Sequence, residues 1–533
     1  MRWIKQRCVL NKKVLTIAVN SKYSHSSLAL RYFRENSGCD IFECSINDNI
    51  FDIYSYLYEQ DYEFFCFSTY IWNVEFVLKL APMIKNTKDN VKIILGGPEA
   101  GYNYENLLNN YSFIDVIIFG EGEDALLALS NGEDIERIPN LAYRKDDRIF
   151  LNDVVKKDLS EMKFPYNKVD LQALKNKIIY FEASRGCLFN CSYCLSSSEG
   201  KTRYFDMEYV KNGLKFFMEN SVPLVKFVDR TFNENNERAC EILEYIILNN
   251  KVTKFHFEIS PLLITEKFCN LLEKAKEFVQ LEIGIQTTNH STMKAIRRVF
   301  ETDKITEKIS LIPKGVHTHM DLIAGLPEET IETFEKGFNF VYSLKPDMLQ
   351  LGFLKLLHNT VLKSEAEKYD IKTTDFSPYE VISTNTMPAD DIIMLKKTEK
   401  AVDRIYNSGA FVNTLQKLKN DNIFNTFVDI GMHLAEKEKA GPISRTELYE
   451  IMYTLYGNEI KTELVTDFLL NNPKAPLPDL FKDDKKDMKK LHKELAKREK
   501  FKDVKFRVEA ACGKYFIAYS DKVECVEDLS YDS

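Results

Sequence analysis

The 533-residue chain contains no apolar run of about 18 residues, the length a membrane-spanning helix needs. Its opening segment, Met1-Arg-Trp-Ile-Lys-Gln-Arg-Cys8, has no signal-peptide apolar core. The 11 cysteines are odd in number and lack framework spacing, which argues against a secreted disulfide scaffold. A reducing, cytoplasmic compartment is expected, with no membrane partner. Positive charge is short as well. A net charge of −8 speaks against a broad basic surface, so nucleic acid is not an expected partner. The lysine-rich stretch from Lys482 to Lys500 interleaves acidic residues at helical spacing and reads as a solvated helix. No G-x-G-x-x-G follows the first strand pattern, which disfavours a nicotinamide or flavin dinucleotide. There is no H-x3–5-H pair and no second paired cysteine spacing, so the frame of a structural zinc site is missing.

What the chain does have is the run Ala183-Ser-Arg-Gly-Cys-Leu-Phe-Asn-Cys-Ser-Tyr-Cys194. Its C-x3-C-x2-C spacing puts Cys187, Cys191 and Cys194 on one short polar loop. Iron–sulfur clusters are ordinarily held by four protein ligands, so three thiolates leave one iron open to another molecule. The rival readings are a zinc site short of a ligand and three plain buried thiols, the latter at odds with a polar, glycine-containing loop. Cys240 and Cys269 stand alone in helical runs, and Cys512 and Cys525 are too few for a second cluster.

Around this loop the grammar is βα. Hydrophobic content of 44%, with 36 Phe and 27 Tyr, allows large cores, and the length suggests two to four domains. From 14 to 130, buried strand patterns (14–19, 41–44, 64–67, 91–95, 116–119) alternate with helical segments near 27–36, 50–60, 73–86, 103–111 and 123–130. Such alternation predicts a flavodoxin- or Rossmann-like, doubly wound parallel sheet with its ligand beyond the strands' carboxyl ends. Those ends carry Ser26 and Ser27, then Ser68 and Thr69, then Gly96, Gly97 and Glu99, then Gly120, Glu121 and Gly122. A link with short strands is expected over 131–175. Six further strands over 176–384 (178–182, 224–228, 254–258, 279–284, 318–323, 348–353) predict a partial (β/α)6, TIM-type barrel with chemistry at the strands' carboxyl ends. From 385 to 533 the pattern is mainly helical (390–406, 408–420, 424–437, 444–456, 460–470, 482–500), closing in a hairpin of 504–508 and 515–519.

The cysteine loop, with Tyr193 before its last cysteine, resembles the signature of radical S-adenosylmethionine (SAM) enzymes. The first domain resembles the cobalamin-binding domain that precedes many of them, and the whole looks similar to a bacterial family with a helical C-terminal extension. The resemblance implies a 4Fe-4S cluster on Cys187, Cys191 and Cys194, with SAM on its open iron. It also implies cobalamin over residues 1–130, against Ser26, Ser27, Ser68, Thr69, Gly96, Gly97, Glu99, Gly120, Glu121 and Gly122. Asn20-Ser-Lys22 stands where D-x-H would supply a cobalt ligand, so a base-off corrinoid without a protein histidine is implied, with His25 as an alternative near the ring. By position, Asp229 replaces the family's acceptor for SAM's ammonium, and Arg230 could pair with a carboxylate. Glu258 faces the cavity, Glu282 and Gln286 lie where ribose is contacted, Arg297 or Arg298 meets SAM's carboxylate, and Gly325 packs beside adenine. Phe353 and Lys355 are candidates for substrate contact. Structural ion pairs could account for each charged position singly.

The implied activity is SAM cleavage to a 5′-deoxyadenosyl radical and methyl transfer to an unactivated carbon of a small metabolite. A flavodoxin or ferredoxin would be the external electron donor. The alternatives are a cobalamin-assisted rearrangement or ring alteration without net methylation, and a corrinoid or cluster sensor without turnover.

Overall fold

The computed structural model describes residues 3–6, 13–298, 302–419, 422–483, 492, 493, 495–497, 499–501 and 504–526. Strands β1 (Ile4–Gln6), β2 (Val14–Asn20), β3 (Asp40–Ser45), β4 (Phe64–Ser68), β5 (Lys92–Gly96), β6 (Val116–Ile118), β7 (Leu141–Lys145) and β8 (Arg148–Leu151) form one sheet in the order β1-β3-β2-β4-β5-β6-β7-β8. Its five middle strands, β3-β2-β4-β5-β6, are parallel, which is the flavodoxin-like winding. Every residue of β2 is buried, as a strand covered on both faces requires. The sheet does not stop at residue 130. Strands β7 and β8 add antiparallel to β6, so part of the stretch read as a link belongs to the first domain.

The second sheet is wholly parallel, in the order β16-β15-β14-β13-β12-β9. Its strands are β9 (Ile179–Phe181), β12 (Leu224–Phe227), β13 (Lys254–Ile259), β14 (Val279–Gln286), β15 (His317–Ala324) and β16 (Met348–Phe353). Between β9 and β12 the short strands β10 (Ser184–Arg185) and β11 (Arg203–Tyr204) pair antiparallel and close the base of the cysteine loop. The alternation along β14 decides what faces where. Val279, Leu281, Ile283 and Ile285 are buried against the helices, whereas Gln280, Glu282, Gly284 and Gln286 are half-exposed on the other face. Strand β15 repeats this, placing His317, His319 and Asp321 on that inner face. The half-barrel therefore has a polar, wet interior.

A two-strand ribbon, β17 (Lys372–Thr373) and β18 (Val381–Ser383), leads into the helical region. Helices 389–401 and 423–438 pack together and onto the barrel helix 331–343, with Phe338 meeting the rings of Phe424 and Phe427 at 5.4 and 5.7 Å. One continuous core runs from the barrel into this extension. The expected terminal hairpin is a three-stranded sheet, β19 (Phe506–Ala511), β20 (Lys514–Tyr519) and β21 (Lys522–Val526). Its first turn is the two residues Cys512 and Gly513, both at positive φ (57° and 72°), the hairpin geometry whose twist matches the strands. The helix expected over 482–500 lies largely outside the described residues. No described helix is long and apolar enough to cross a membrane.

Candidate functional site

The cysteine loop leaves the barrel between β10 and β11, at the carboxyl end of β9. Gly186 makes the turn into it at φ 99°, where a Cβ would sit 3.0 Å from the carbonyl oxygen of Lys201. Cys191 is buried, and Cys187 and Cys194 are partly exposed. Cys187 and Cys194 both act electrostatically on Cys191, so the three sulfurs are neighbours. The sulfurs are met by donors. The backbone N–H of Phe189 donates to Cys187 Sγ at 3.4 Å, Thr231 Oγ1 lies 3.5 Å from it, and Arg298 Nη1 reaches Cys191 Sγ at 3.8 Å. Donors and a cation aimed at sulfur fit an anionic iron–sulfur centre and tune its potential.

Several expected ligands have other work here. Asp229 accepts from the N–H of Ala183 (2.9 Å) and the hydroxyl of Ser184 (2.5 Å), so it braces the start of the loop rather than waiting for an ammonium. Burial pushes its carboxyl up to about 6, partly offset by those two bonds. Arg297 turns outward at φ 58° and pairs with Glu365 at 3.4 Å; its neighbour Arg298 is the arginine at the cluster loop. Arg230 is open to the space at the strand ends, among Glu258, Cys194, Glu199 and Tyr70. Gln286 sits at φ 70° in a β-bulge after Gly284, and its buried Oε1 has no hydrogen-bond partner. An orphaned acceptor and a nearby open guanidinium beside a cluster loop fit an amino-acid-bearing nucleoside such as SAM. Glu258 is raised to about 7 by burial, against the pull of Arg230. Burial alone would raise Glu282, but hydrogen bonds from His256 and Lys226 hold it at about 2. Tyr193 is packed beside Arg298, and burial pushes its phenol up. Gly325 (φ 79°) is pressed against Val381, 2.6 Å from where a Cβ would stand. Phe353 is buried beneath the Lys396 ammonium, 3.6 Å from the ring centre, whereas Lys355 is exposed, its backbone in an isolated bridge with Glu380.

In the first domain, too, many of the expected residues have partners within the protein. Ser27 caps helix 28–37, accepting from Leu30 N–H, and Ser26 donates to the carbonyl of Ile178 at 2.6 Å. Thr69 Oγ1 donates to Gly96 O (2.7 Å) and accepts from Ala100 N–H (3.0 Å). Gly97 (φ 94°) serves close backbone approach within the protein, since a Cβ there would stand 2.6 Å from the Thr69 carbonyl oxygen. Gly122 likewise adjoins Ile118. Glu121 pairs with Arg185 (3.5 Å) and Arg203. Glu99 is buried and accepts from Tyr379 Oη at 2.6 Å, with His358 Nε2 at 3.8 Å. What stays available at the sheet's carboxyl edge is Ser68 Oγ, buried without a partner, and Gly120 (φ 70°), with open space at its Cβ position. Beside them Tyr70 and Trp72 stack at 4.2 Å and 7°, with Trp72 exposed. The sequence reading passed over this platform; an exposed Trp just past a strand end, one of two in the chain, was its signal. An orphan hydroxyl, an open glycine and a flat aromatic platform fit a large planar cofactor.

The two edges face each other. Tyr102 Oη lies 3.1 Å from Ser198 Oγ, just past Cys194, and Arg185 on the cysteine-loop stem pairs with Glu123 at 2.8 Å. Residues 15–130 match a B12 binding domain, 181–341 the radical SAM superfamily, and 367–522 a family of unknown function, DUF4080. The chain thus carries a B12-binding domain, a radical SAM domain and a DUF4080 region in that order. An uncharacterized methyltransferase of Pyrococcus horikoshii is 25% identical to this chain over 295 residues, 51% of the chain and 62% of that protein. The cobalamin-dependent radical SAM methyltransferase TokK of Streptomyces tokunonensis is 23% identical over 385 residues, 64% of the chain and 56% of TokK. The chain thus spans less than two thirds of either relative's length. Among solved structures, the cobalamin-dependent S-adenosylmethionine radical enzyme OxsB, with aqua-cobalamin and SAM bound, superposes at a TM-score of 0.64 and 13% identity, covering 88% of this chain and 82% of that one. That last likeness is one of fold.

Replacing Gly97 by alanine is expected to destabilise the fold by at least ~2 kcal/mol, because the methyl meets Thr69 O and φ is positive. Thermal unfolding of the variant, read beside its retained cobalt, checks this.

Proposed function

We propose that the enzyme is a C-methyltransferase acting on an unactivated carbon of a small metabolite, with a flavodoxin or ferredoxin as electron donor. The observation that carries this is the contact between the cysteine loop and the carboxyl edge of the first sheet, through Tyr102 with Ser198 and Glu123 with Arg185. A 4Fe-4S cluster held by Cys187, Cys191 and Cys194 would supply an electron to the sulfonium of SAM, and cobalamin a methyl group. The chain's own part is placement. Arg230 is free to take a carboxylate, Gln286 Oε1 to accept a hydrogen bond, and Arg298 to hold the charge at Cys191. Asp229 and Ser184 fix the loop's entry. At the end of β2, where a cobalt-ligating histidine would fall, Asn20 is bonded to Glu43 (2.9 Å), and Nδ1 of His25 is engaged by Tyr180 Oη at 3.1 Å. A base-off corrinoid without a protein histidine follows from that reading.

The test is anaerobic turnover of the reconstituted holoenzyme with reductant, cobalamin, SAM carrying a deuterated methyl group, and a small-molecule extract. The expected result is 5′-deoxyadenosine and S-adenosylhomocysteine in equal amounts, and a product bearing the deuterated methyl. 5′-Deoxyadenosine without S-adenosylhomocysteine would replace methyl transfer with rearrangement; neither product would leave a sensor.

A further inference from the structure

Below the strand ends, the inner face of the half-barrel carries a second group of donors that the reading above does not use. Glu282 on β14 pairs in register with His319 on β15, and His256 lies on the adjoining strand β13. One ligand atom from each of the three lies within 4.8 Å of the others. His256 Nε2 is 2.9 Å from Glu282 Oε2, and His317 Nε2 is 2.9 Å from His319 Nε2. Two imidazoles and a carboxylate on three adjacent strands form a recurrent ligand set for zinc and other late divalent ions.

We propose that His256, Glu282 and His319 bind a divalent transition-metal ion, Zn2+ by ligand preference, inside the half-barrel and apart from the cysteine loop.

Three further observations support the site. The outer ring nitrogens have polar neighbours: the side-chain amide of Gln350 lies 3.3 Å from His319 Nδ1, where its oxygen, once the amide is flipped, accepts the N–H of a metal-bound imidazole, and Asp347 lies 3.8 Å from His317 Nδ1. His317, aimed at the same ring nitrogen of His319, stands where it can supply a fourth ligand. The surroundings also offer further carboxylates. Glu258, Glu282 and Asp321 line this interior around the single ammonium of Lys226, and Asp321 Oδ1 is buried without a hydrogen-bond partner. Lys226 does bond Glu282, at 2.9 Å, and to the same Oε2 as His256. A carboxylate has two oxygens and about four lone-pair sites, so the lysine and an ion can share it. Bound there, the ion would clamp β13, β14 and β15 side by side beneath the reaction space.

The probe is Zn2+ itself. Holoenzyme reconstituted with iron, sulfide and cobalamin is given one equivalent of Zn2+ and desalted. Metals are then counted, and zinc K-edge absorption is recorded. The expected result is about one zinc per chain in a nitrogen and oxygen shell at about 2.0–2.1 Å, without sulfur at about 2.3 Å. The double variant His256→Gln, His319→Gln should retain at least about tenfold less zinc, with iron and cobalt contents unchanged. If that variant does not fold, the wild-type absorption spectrum decides alone. No retained zinc beside full iron would overturn this site and leave the cluster reading intact. Zinc in a sulfur shell with iron lost would overturn both.

Discussion

Changing Cys191 to alanine is expected to remove the iron–sulfur centre and, with it, all cleavage of SAM. Anaerobically reconstituted wild-type protein should carry ~4 iron and ~4 sulfide per chain, and the variant close to none. Reductive formation of 5′-deoxyadenosine should fall to background. Cys187→Ala and Cys194→Ala should behave alike, because three donors on one loop leave no spare ligand: the described cysteines outside the loop are Cys39, Cys44, Cys66, Cys240, Cys269, Cys512 and Cys525, none of them within it. Cys191 is the sharpest of the three, being the buried one with the Arg298 guanidinium beside it. Without a thiolate there, Arg298 keeps its bond to the Gly284 carbonyl but loses the anion it faces. The fold should survive, since Cys191 is not part of a strand or helix and the loop's ends are pinned by the β10–β11 pair and by Asp229. Unchanged far-ultraviolet circular dichroism with absent iron would support the assignment. Full iron in the variant would refute it.

Much of this enzyme could be read before any coordinates, and the division is physical. Strand positions follow from period-2 burial, so Val279–Gln286 and His317–Ala324 were placed within a few residues, and Glu258 and Glu282 were placed on the cavity side. Cysteine spacing is a local property and carries directly to the loop. Partners are not local. Asp229 turned out to be bonded to Ala183 and Ser184, 46 and 45 residues away, and Glu99 to Tyr379, 280 residues away. Arg297 and Arg298 differ by one residue, and a single left-handed turn at Arg297 sends one outward and the other to the cluster loop. The glycines after β5 and β6 were expected to admit a ligand; Gly97 and Gly122 instead admit the protein's own atoms, and Gly120 alone of the three has free space. The short strands expected over 131–175 are β7 and β8, but their joining to the first sheet, like the addition of β21 to the last, depends on edge pairing that local sequence does not announce.

Asp170→Asn should be the most damaging single change away from the chemistry. Asp170 sits in the stretch joining the two α/β domains and accepts both Arg34 Nη1 and Nη2 at 2.7 Å, with Arg31 Nε at 3.6 Å and Asn167 N–H at 2.8 Å. Arg31 in turn reaches Glu43 on β3 at 2.7 Å, and the side chains of Arg31, Glu43 and Asp170 have no solvent exposure. Asparagine would take the shared carboxylate from two buried guanidinium groups, leaving Arg31 to Glu43 and Arg34 to Glu35 at the helix surface, an expected loss of about 3–5 kcal/mol. The pH dependence has a definite sign. Burial alone would raise the Asp170 carboxyl, but the Arg34 bonds and the Arg31 charge hold it below its ordinary value. Near and below the unfolded value of about 3.9, the unfolded chain binds more protons there than the native one. This stabilisation is therefore complete above that value and is lost as pH falls through the lower native pKa. Denaturant unfolding between pH 7 and pH 3 should show wild-type stability falling more steeply at the acid end than that of Asp170→Asn. Two curves that stay parallel down to pH 3 would mean that Asp170 carries no such charge coupling between helix 28–37 and the barrel's entry.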